Sequence, residues 1–160
     1  MRCLADDRGE KLAGMVDITD KLPVFRKATA CGAIRLKAAT IDAIKSGMVK
    51  KGDALATARL AAILAVKDTP KLIPMCHPIL ITGLDVNFEI AENRVHASVT
   101  VTSEGKTGVE MEALTGVSAA LLNVWDMVKY LEKDETGNYP QTVIEEIRVV
   151  EKRKGESGRD

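Results

Sequence analysis

The sequence predicts an α+β fold in which an antiparallel or mixed sheet carries helices on one face. The first observation is the order of the predicted elements, β-α-α-β-β-α-β, which is close to the split pattern of ferredoxin-like folds. The second is the composition, because 46% hydrophobic and 29% charged residues are typical of a folded domain. The third is the length, since 160 residues correspond to one domain.

The first strand is predicted over residues 24–38, where polar and apolar side chains alternate and Gly32 is a weak point. A short helix follows over residues 41–46, with Thr40 as its N-cap. Residues 1–20, before the strand, are charged and show no period. They are therefore predicted to form a loose N-terminal arm.

The second helix is predicted over residues 54–67, with Asp53 as its N-cap and Pro70 just beyond its end. Its apolar positions nearly encircle it, so we expect the sheet, another helix or a partner subunit to cover it. Residues 72–81 are apolar but interrupted by two prolines, which excludes both a continuous helix and a central strand. This stretch is predicted to be a fixed loop.

The second half of the chain shows a hairpin, a long helix and a last strand. Residues 84–90 and 94–102 alternate at period two around a polar turn, which is a hairpin pattern. The longest helical pattern covers residues 107–132, and a strand follows over residues 142–150, before the charged residues 151–160. Such a sheet has an open face and open edges, which oligomerisation can cover.

The composition excludes several classes of function. Lys plus Arg and Asp plus Glu number 23 each, so the zero net charge argues against a general binder of nucleic acid or membrane surfaces. The three cysteines, Cys3, Cys31 and Cys76, lack the spacing of a disulfide framework or zinc finger and favour a reducing cytoplasm. We find neither an apolar run long enough to span a membrane nor a signal core, and expect neither membrane insertion nor export.

Lys51-Gly52-Asp53, immediately before the second helix, is a candidate anion site. A lysine beside the free backbone amides of a helix N-terminus attracts anions. The same three residues also fit an ordinary loop lysine and helix cap, so both alternatives stay open. The phosphate-binding pattern G-x-x-x-x-G-K-[ST] is absent.

His77 is the second candidate, because the segment Met75-Cys76-His77-Pro78 restricts its conformation. A rigid histidine suits a catalytic or substrate-orienting group, although a structural histidine fits the pattern too. A nucleophilic Cys–His pair is disfavoured because adjacent residues rarely form the required hydrogen bond. A metal site is disfavoured because His96, the one other histidine, falls on a polar strand face.

The third candidate lies on the long helix, where Glu112 and Asp126 are about four turns apart and differ by only about 40° in direction. Lys129 is the neighbour of Asp126 on that surface, whereas Glu110 faces the opposite side. An ordinary solvated face is the alternative, but the apolar neighbours of Asp126 and the position of Lys106 at the helix entrance favour a site. Burial there is predicted to raise the aspartate pKa and lower the lysine pKa, as in an acid–base pair.

Together these segments resemble the family of cyclic pyranopterin monophosphate synthases, the molybdenum cofactor biosynthesis protein C family. The resemblance begins at Met15 and continues to about residue 150, and four motifs in the family's order make it specific. These motifs are Lys51-Gly-Asp53 with Ala56-Thr-Ala-Arg59, Leu72-Ile-Pro-Met-Cys-His-Pro78, Gly105-Lys-Thr-Gly-Val-Glu-Met-Glu-Ala-Leu-Thr115 and Asp126-Met-Val-Lys129. The resemblance indicates a flexible arm over residues 1–14, a single catalytic α+β domain over residues 15–150 and a charged tail over residues 151–160.

The resemblance implies an enzyme, a phosphorus–oxygen lyase. Members of the family convert 3′,8-cyclo-7,8-dihydroguanosine 5′-triphosphate into cyclic pyranopterin monophosphate and pyrophosphate. This reaction requires repeated proton transfers, and it requires positive charge around the triphosphate. We expect no cofactor and no metal site, and whether Mg²⁺ enters with the triphosphate stays open. The resemblance also implies a cytoplasmic homohexamer, a trimer of dimers with shared active sites.

The family's functional residues transfer to this sequence motif by motif. Asp126 and Lys129 would be the central acid–base pair, with Lys51 and His77 as further catalytic residues. The substrate-binding residues would be Met75, Cys76, His77, Met111, Glu112, Arg26, Lys67, Lys106 and Glu110.

Two other functions compete with this one. A non-catalytic module could bind or sense a phosphorylated purine, and it would release no pyrophosphate. A metal-dependent phosphohydrolase would use His77, His96 and the carboxylates, but the number of ligands disfavours it.

Overall fold

The computed structural model describes residues 14–155, which form seven elements in the predicted order. These are β1 (Val24–Arg35), α1 (Ala38–Lys45), α2 (Ala54–Leu72), β2 (Ile81–Ile90), β3 (Arg94–Gly105), α3 (Glu110–Glu132) and β4 (Val143–Gly155). Residues 1–13 of the predicted N-terminal arm lie outside the described residues.

The four strands form one open sheet in the order β2-β3-β1-β4, and each neighbouring pair is antiparallel. The first strand therefore lies between the third and the fourth, which is the split arrangement of a ferredoxin-like fold. The predicted α+β class is confirmed. Of the two predicted sheet types, antiparallel and mixed, the antiparallel one is observed.

The core lies between one face of the sheet and helices α2 and α3. On β3 every second residue is buried on this face, and these residues are Val95, Ala97, Val99 and Val101. Gly116 lets α3 approach α2 and β3 closely, because a Cβ there would lie 2.8 Å from Val66 and 3.0 Å from Val99. Gly32 similarly faces α3, where a Cβ would lie 2.9 Å from Leu121. Gly32 is thus a site of close packing between β1 and α3.

The boundaries of all three helices differ from the prediction. Helix α3 begins at Glu110, three residues after its predicted start. Lys37, not Thr40, is the N-cap of α1, and Thr40 is buried inside the helix. Helix α2 continues through Pro70 to Leu72, because burial of Val66 and other residues on its inner side outweighs the backbone hydrogen bond that proline cannot make. The other N-cap is confirmed, since the Asp53 carboxylate accepts hydrogen bonds from the first turn of α2.

The last strand extends beyond its predicted end at Val150. Strand β4 pairs with β1 as far as Gly155, opposite Phe25. Residues 151–155 of the predicted charged tail are therefore part of the sheet, and residues 156–160 lie outside the described part. Strand β1 is long enough to offer backbone partners along this whole length, and the ion pair between Lys27 and Glu151 (3.2 Å) supports the pairing.

The predicted loop and hairpin are both present. Residues 73–80 connect α2 to β2 without regular structure, and the hairpin turn closes where the Ala91 N–H donates to the Arg94 carbonyl. Leu60 and Leu64, on the outer side of α2, are each 63% exposed, so a single chain does not cover all the apolar positions of this helix. No helix among residues 14–155 is both long and apolar enough to span a bilayer.

Candidate active site

The first group of functional side chains is an ion-pair cluster at the C-terminal end of α3. Asp126 and Lys129 lie one turn apart on the helix, and the Lys129 Nζ is 2.8 Å from the Asp126 Oδ1. Lys51, on the turn between α1 and α2, places its Nζ 2.7 Å from the Asp126 Oδ2. The same ammonium donates to the backbone carbonyl of Asp126 at 2.9 Å. The structure thus brings together three of the four residues predicted to be catalytic.

The electrostatics of this cluster differ from the prediction. The hydrogen bonds from Lys129 and then Lys51 lower the pKa of the Asp126 carboxyl to about 2, and Asp126 in turn raises the pKa of Lys129. The predicted shifts had the opposite sign, because they assumed burial. The side chains of Lys51, Asp126 and Lys129 are instead 43%, 53% and 47% exposed, so attraction between opposite charges dominates. The cluster therefore carries two cations and one anion at neutral pH.

The second group surrounds a cavity of about 460 Å³ near the N-terminal end of α3. One wall is the proline-containing loop, which contributes Met75, Cys76 and His77. The opposite wall is the start of α3, which contributes three consecutive residues over 110–112. Within this cavity the structure brings together six predicted residues from two separate motifs.

Glu112 is the most unusual group of this cavity. Its residue is only 2% exposed, and neither carboxylate oxygen has a hydrogen-bond partner among the described residues. Burial raises the pKa of its carboxyl, and the neighbouring Glu110 raises it further. Burial also raises the pKa of the Cys76 thiol, with a smaller contribution from Glu112. Cys76 therefore stays protonated at neutral pH, which argues against a role as nucleophile.

Glu110 is held by a residue that the sequence analysis missed. Partial burial alone would raise the pKa of its carboxyl, but the ion pair with Lys152 outweighs burial, and the pKa is lowered. Lys152 belongs to the part of β4 that was assigned to the tail. No local signal could have identified it, because residues 151–154 are all charged and show no alternation.

The N-terminal segment also belongs to the cavity, contrary to the prediction of a loose arm over residues 1–20. Val16, Ile18 and Lys21 line it, and the Lys106 ammonium donates to the backbone carbonyl of Thr19 at 2.7 Å. The family resemblance that begins at Met15 was the available signal for this segment.

Two further predicted residues have different environments. Arg26 is buried on β1, and its guanidinium donates to the carbonyls of Gly105 and Lys106, each at 3.4 Å, so it holds the loop that leads into α3. Lys67 is exposed on α2 and does not line the cavity. His96 lies on the open face of the sheet, as its alternation predicted. Within residues 14–155, no group of three or more His, Cys, Asp or Glu side chains is arranged to hold a metal ion.

The two groups are separated along one helix. Glu112 and Asp126 are about four turns apart, which corresponds to about 21 Å along the axis of α3. Within one chain the predicted residues therefore form an ion-pair cluster and a cavity, not a single pocket. An α+β domain with an acid–base pair at one end of a helix and a buried carboxyl beside a cavity at the other has the features of a small acid–base enzyme.

Comparison with known proteins identifies the family. The model of the MoaC family matches residues 15–155, nearly the whole chain, and the chain belongs to this family. A relative from Methanosarcina mazei is 63% identical over 145 residues, which cover 91% of this chain and 92% of the relative. A relative from Thermococcus kodakarensis is 59% identical over 151 residues, or 94% of this chain and 95% of the relative. Both are named probable cyclic pyranopterin monophosphate synthase.

Proposed function

We propose that this protein is an enzyme of molybdenum cofactor biosynthesis that converts 3′,8-cyclo-7,8-dihydroguanosine 5′-triphosphate into cyclic pyranopterin monophosphate and pyrophosphate. The observation that carries this proposal is the likeness to synthases at about 60% identity over almost the full length of both chains. In reaction class it is a phosphorus–oxygen lyase, since closing the cyclic phosphate expels pyrophosphate. We expect it to act in the cytoplasm without a resident cofactor, with any Mg²⁺ arriving on the triphosphate.

Asp126 and Lys129 supply the proton-transfer chemistry of this proposal. The lowered pKa keeps Asp126 ionised at neutral pH, and its carboxylate becomes a stronger base when Lys51 or Lys129 turns from it to the substrate phosphates. The ammonium groups of Lys51 and Lys129 are held beside it, where they stabilise negative charge that develops on a phosphate or carbonyl oxygen. The net positive charge of the three side chains suits an anionic substrate.

The cavity is the proposed site for the purine-derived part of the substrate. Met75, Cys76 and Met111 offer a polarisable apolar surface, and His77 lies beside them. The unpartnered carboxyl of Glu112 would gain a hydrogen-bond partner from a ring N–H or amino group, which removes the cost of its burial. Arg26, Lys67, Lys106 and Glu110 are the remaining substrate-binding candidates.

A homohexamer, a trimer of dimers with shared active sites, agrees with the separation of the two groups. Since about 21 Å of rigid helix lies between Glu112 and Asp126 within a chain, one substrate reaches both groups only if they come from different subunits. The exposed leucines Leu60 and Leu64 on α2, with Leu122 on α3, supply apolar surface that an interface would cover.

The proposal is tested by incubating the purified protein with the cyclic triphosphate and measuring pyrophosphate and the pterin product. Asp126→Asn and Lys129→Ala should assemble normally but form no product. Asp42→Asn and Lys45→Ala, which change exposed groups of the same types on α1, are the matched controls and should retain full turnover. Substrate binding without pyrophosphate release would instead establish a sensing module. Full turnover in both Asp126→Asn and Lys129→Ala would contradict the assigned roles.

A further inference from the structure

The turn that carries Lys51 is attached to α3 at a second point besides the ion pair. The Gly52 N–H closes this turn on the Val49 carbonyl at 3.0 Å, and Val49 is buried in the core. Between them, the Lys50 N–H donates to the hydroxyl of Tyr130 at 2.8 Å. The Tyr130 hydroxyl therefore holds the backbone immediately before Lys51.

Tyr130 and Asp126 are four residues apart on α3, so they lie on one side of the helix one turn apart. One rigid element thus provides both the carboxylate that Lys51 contacts and the hydroxyl that holds its backbone. The Tyr130 ring packs against the core, and the Lys50 Nζ lies 5.3 Å from the ring centroid. Packing of the ring against the core holds the hydroxyl in place independently of the ion pair.

A long lysine side chain on an exposed turn has many accessible rotamers, and an isolated surface ion pair is too weak to select one of them. A backbone hydrogen bond reduces this freedom, because it fixes the point from which the Lys51 side chain extends. We infer that Tyr130 is a positioning residue whose hydroxyl, through the Lys50 N–H, aligns the Lys51 ammonium with Asp126. The consequence for catalysis rests on the proposed function, whereas the alignment itself does not.

The test uses Tyr130→Phe, which removes the hydroxyl and keeps the ring. The primary measurement is the pKa of Asp126, followed by the carboxyl carbon signal in NMR titrations of the intact protein. Asp126 is faced by Lys51 from the turn and by Lys129 from its own helix. Lys51→Ala sets the scale, because it removes one of these cations and raises the Asp126 pKa from about 2. Lys50→Ala is the matched control, since it removes the side chain over the ring but keeps the backbone N–H.

We expect Tyr130→Phe to raise the Asp126 pKa in the same direction as Lys51→Ala but by less, while Lys50→Ala leaves it unchanged. In the product assay, kcat of Tyr130→Phe should fall about tenfold with KM within about twofold of wild type, since a misaligned group costs rate more than binding. A wild-type Asp126 pKa in Tyr130→Phe, together with a raised one in Lys51→Ala, would overturn the inference. Absence of product with the wild-type protein would contradict the proposed function alone, because the pKa comparison still decides the role of Tyr130.

Discussion

Two carboxylates on the same side of α3 have opposite chemistry. Glu112, at the N-terminal end, is buried without a partner, and its pKa is raised. Asp126, at the C-terminal end, is half exposed between two lysines, and its pKa is lowered to about 2. The side of a helix on which a carboxyl group lies therefore does not determine the shift of its pKa, whereas burial and the nearest charge do.

A third carboxylate of this helix shows that a buried carboxylate is not necessarily without hydrogen-bond partners. Glu132 is completely buried, but it accepts hydrogen bonds from the Lys37 N–H at 3.1 Å and from the Thr142 hydroxyl at 2.5 Å. The Lys37 ammonium in return donates to the carbonyls of Leu131 and Lys133 at the end of α3. Glu132 is thus a structural group whose carboxylate already has hydrogen-bond partners. Glu112 has none within the described part of the chain, and its carboxylate oxygens can therefore bind a ligand.

The largest effect should come from testing whether the two ends of α3 contribute to one active site from different chains. His77→Ala should lower turnover about 10³-fold and Asp126→Asn should abolish it, because each removes one half of the proposed site. When the two variants are co-expressed as mixed assemblies, random pairing of subunits should restore about a quarter of wild-type activity. Differently tagged chains and sequential purification isolate the mixed assemblies for the assay. No recovery above the single variants would mean that the two ends do not meet at a shared site.

Glu132→Ala should be the most destabilising of the carboxylate substitutions. It leaves the buried Lys37 N–H and Thr142 hydroxyl without their acceptor, so we expect a loss of about 3 kcal/mol in the free energy of unfolding. Urea denaturation followed by circular dichroism measures this change. Glu135→Ala, in the exposed loop after α3, is the control and should leave the midpoint near that of wild type.

Glu112→Gln should stabilise the protein without substrate. The raised pKa means that burying the ionised carboxyl costs stability, and this cost appears as the pH rises above 4.5, the ordinary value for glutamate. We expect a gain of about 1 kcal/mol at pH 7 that disappears in acid. Glu110→Gln is the matched control, because it breaks the ion pair with Lys152 and should not stabilise. A destabilised Glu112→Gln variant at pH 7 would contradict the unpartnered state of Glu112.

Asp126→Asn should have the smallest effect on stability. Its effect should depend on pH in the direction opposite to that of Glu112→Gln. A pKa lowered from 3.8 to about 2 means that its ion pairs stabilise the fold above pH 4, and that this contribution is lost as the pH falls toward 2. The midpoint temperatures of wild type and Asp126→Asn should therefore differ slightly at pH 7 and converge in acid. Because the group is exposed, added salt should reduce the difference at pH 7. A difference that grows in acid would contradict the ion-pair interpretation.

Much of the fold could be predicted because its signals are local. The alternation over residues 94–102 predicted which face of β3 is buried, and the carboxylate of Asp53 predicted the start of α2. The errors arose where tertiary packing overrides local preference. Thr40 has the side chain of an N-cap but is buried inside α1, and Pro70 has the backbone of a helix terminator but lies within α2. Strand β4 is longer than its sequence predicted because β1 pairs with its whole length.

In the candidate site, too, contacts within one element could be predicted, whereas contacts between distant segments could not. The spacing of Asp126 and Lys129 predicted their contact, since neighbours on a helix follow from its geometry. The approach of Lys51 to Asp126 and the ion pair of Lys152 with Glu110 join distant segments, and no local pattern contains that information. The assumption that Asp126 is buried gave the wrong sign for its pKa.

By itself, the sequence determined the order of the elements, the inward face of each amphipathic segment and the family, because these depend on periodicity and on residue types at set spacing. Only the tertiary structure decided which distant side chains meet and how much water reaches them. Solvent access and neighbouring charge set the free energy of each ionised group. The opposite pKa shifts of Glu112 and Asp126 were therefore decided by the folded chain around them.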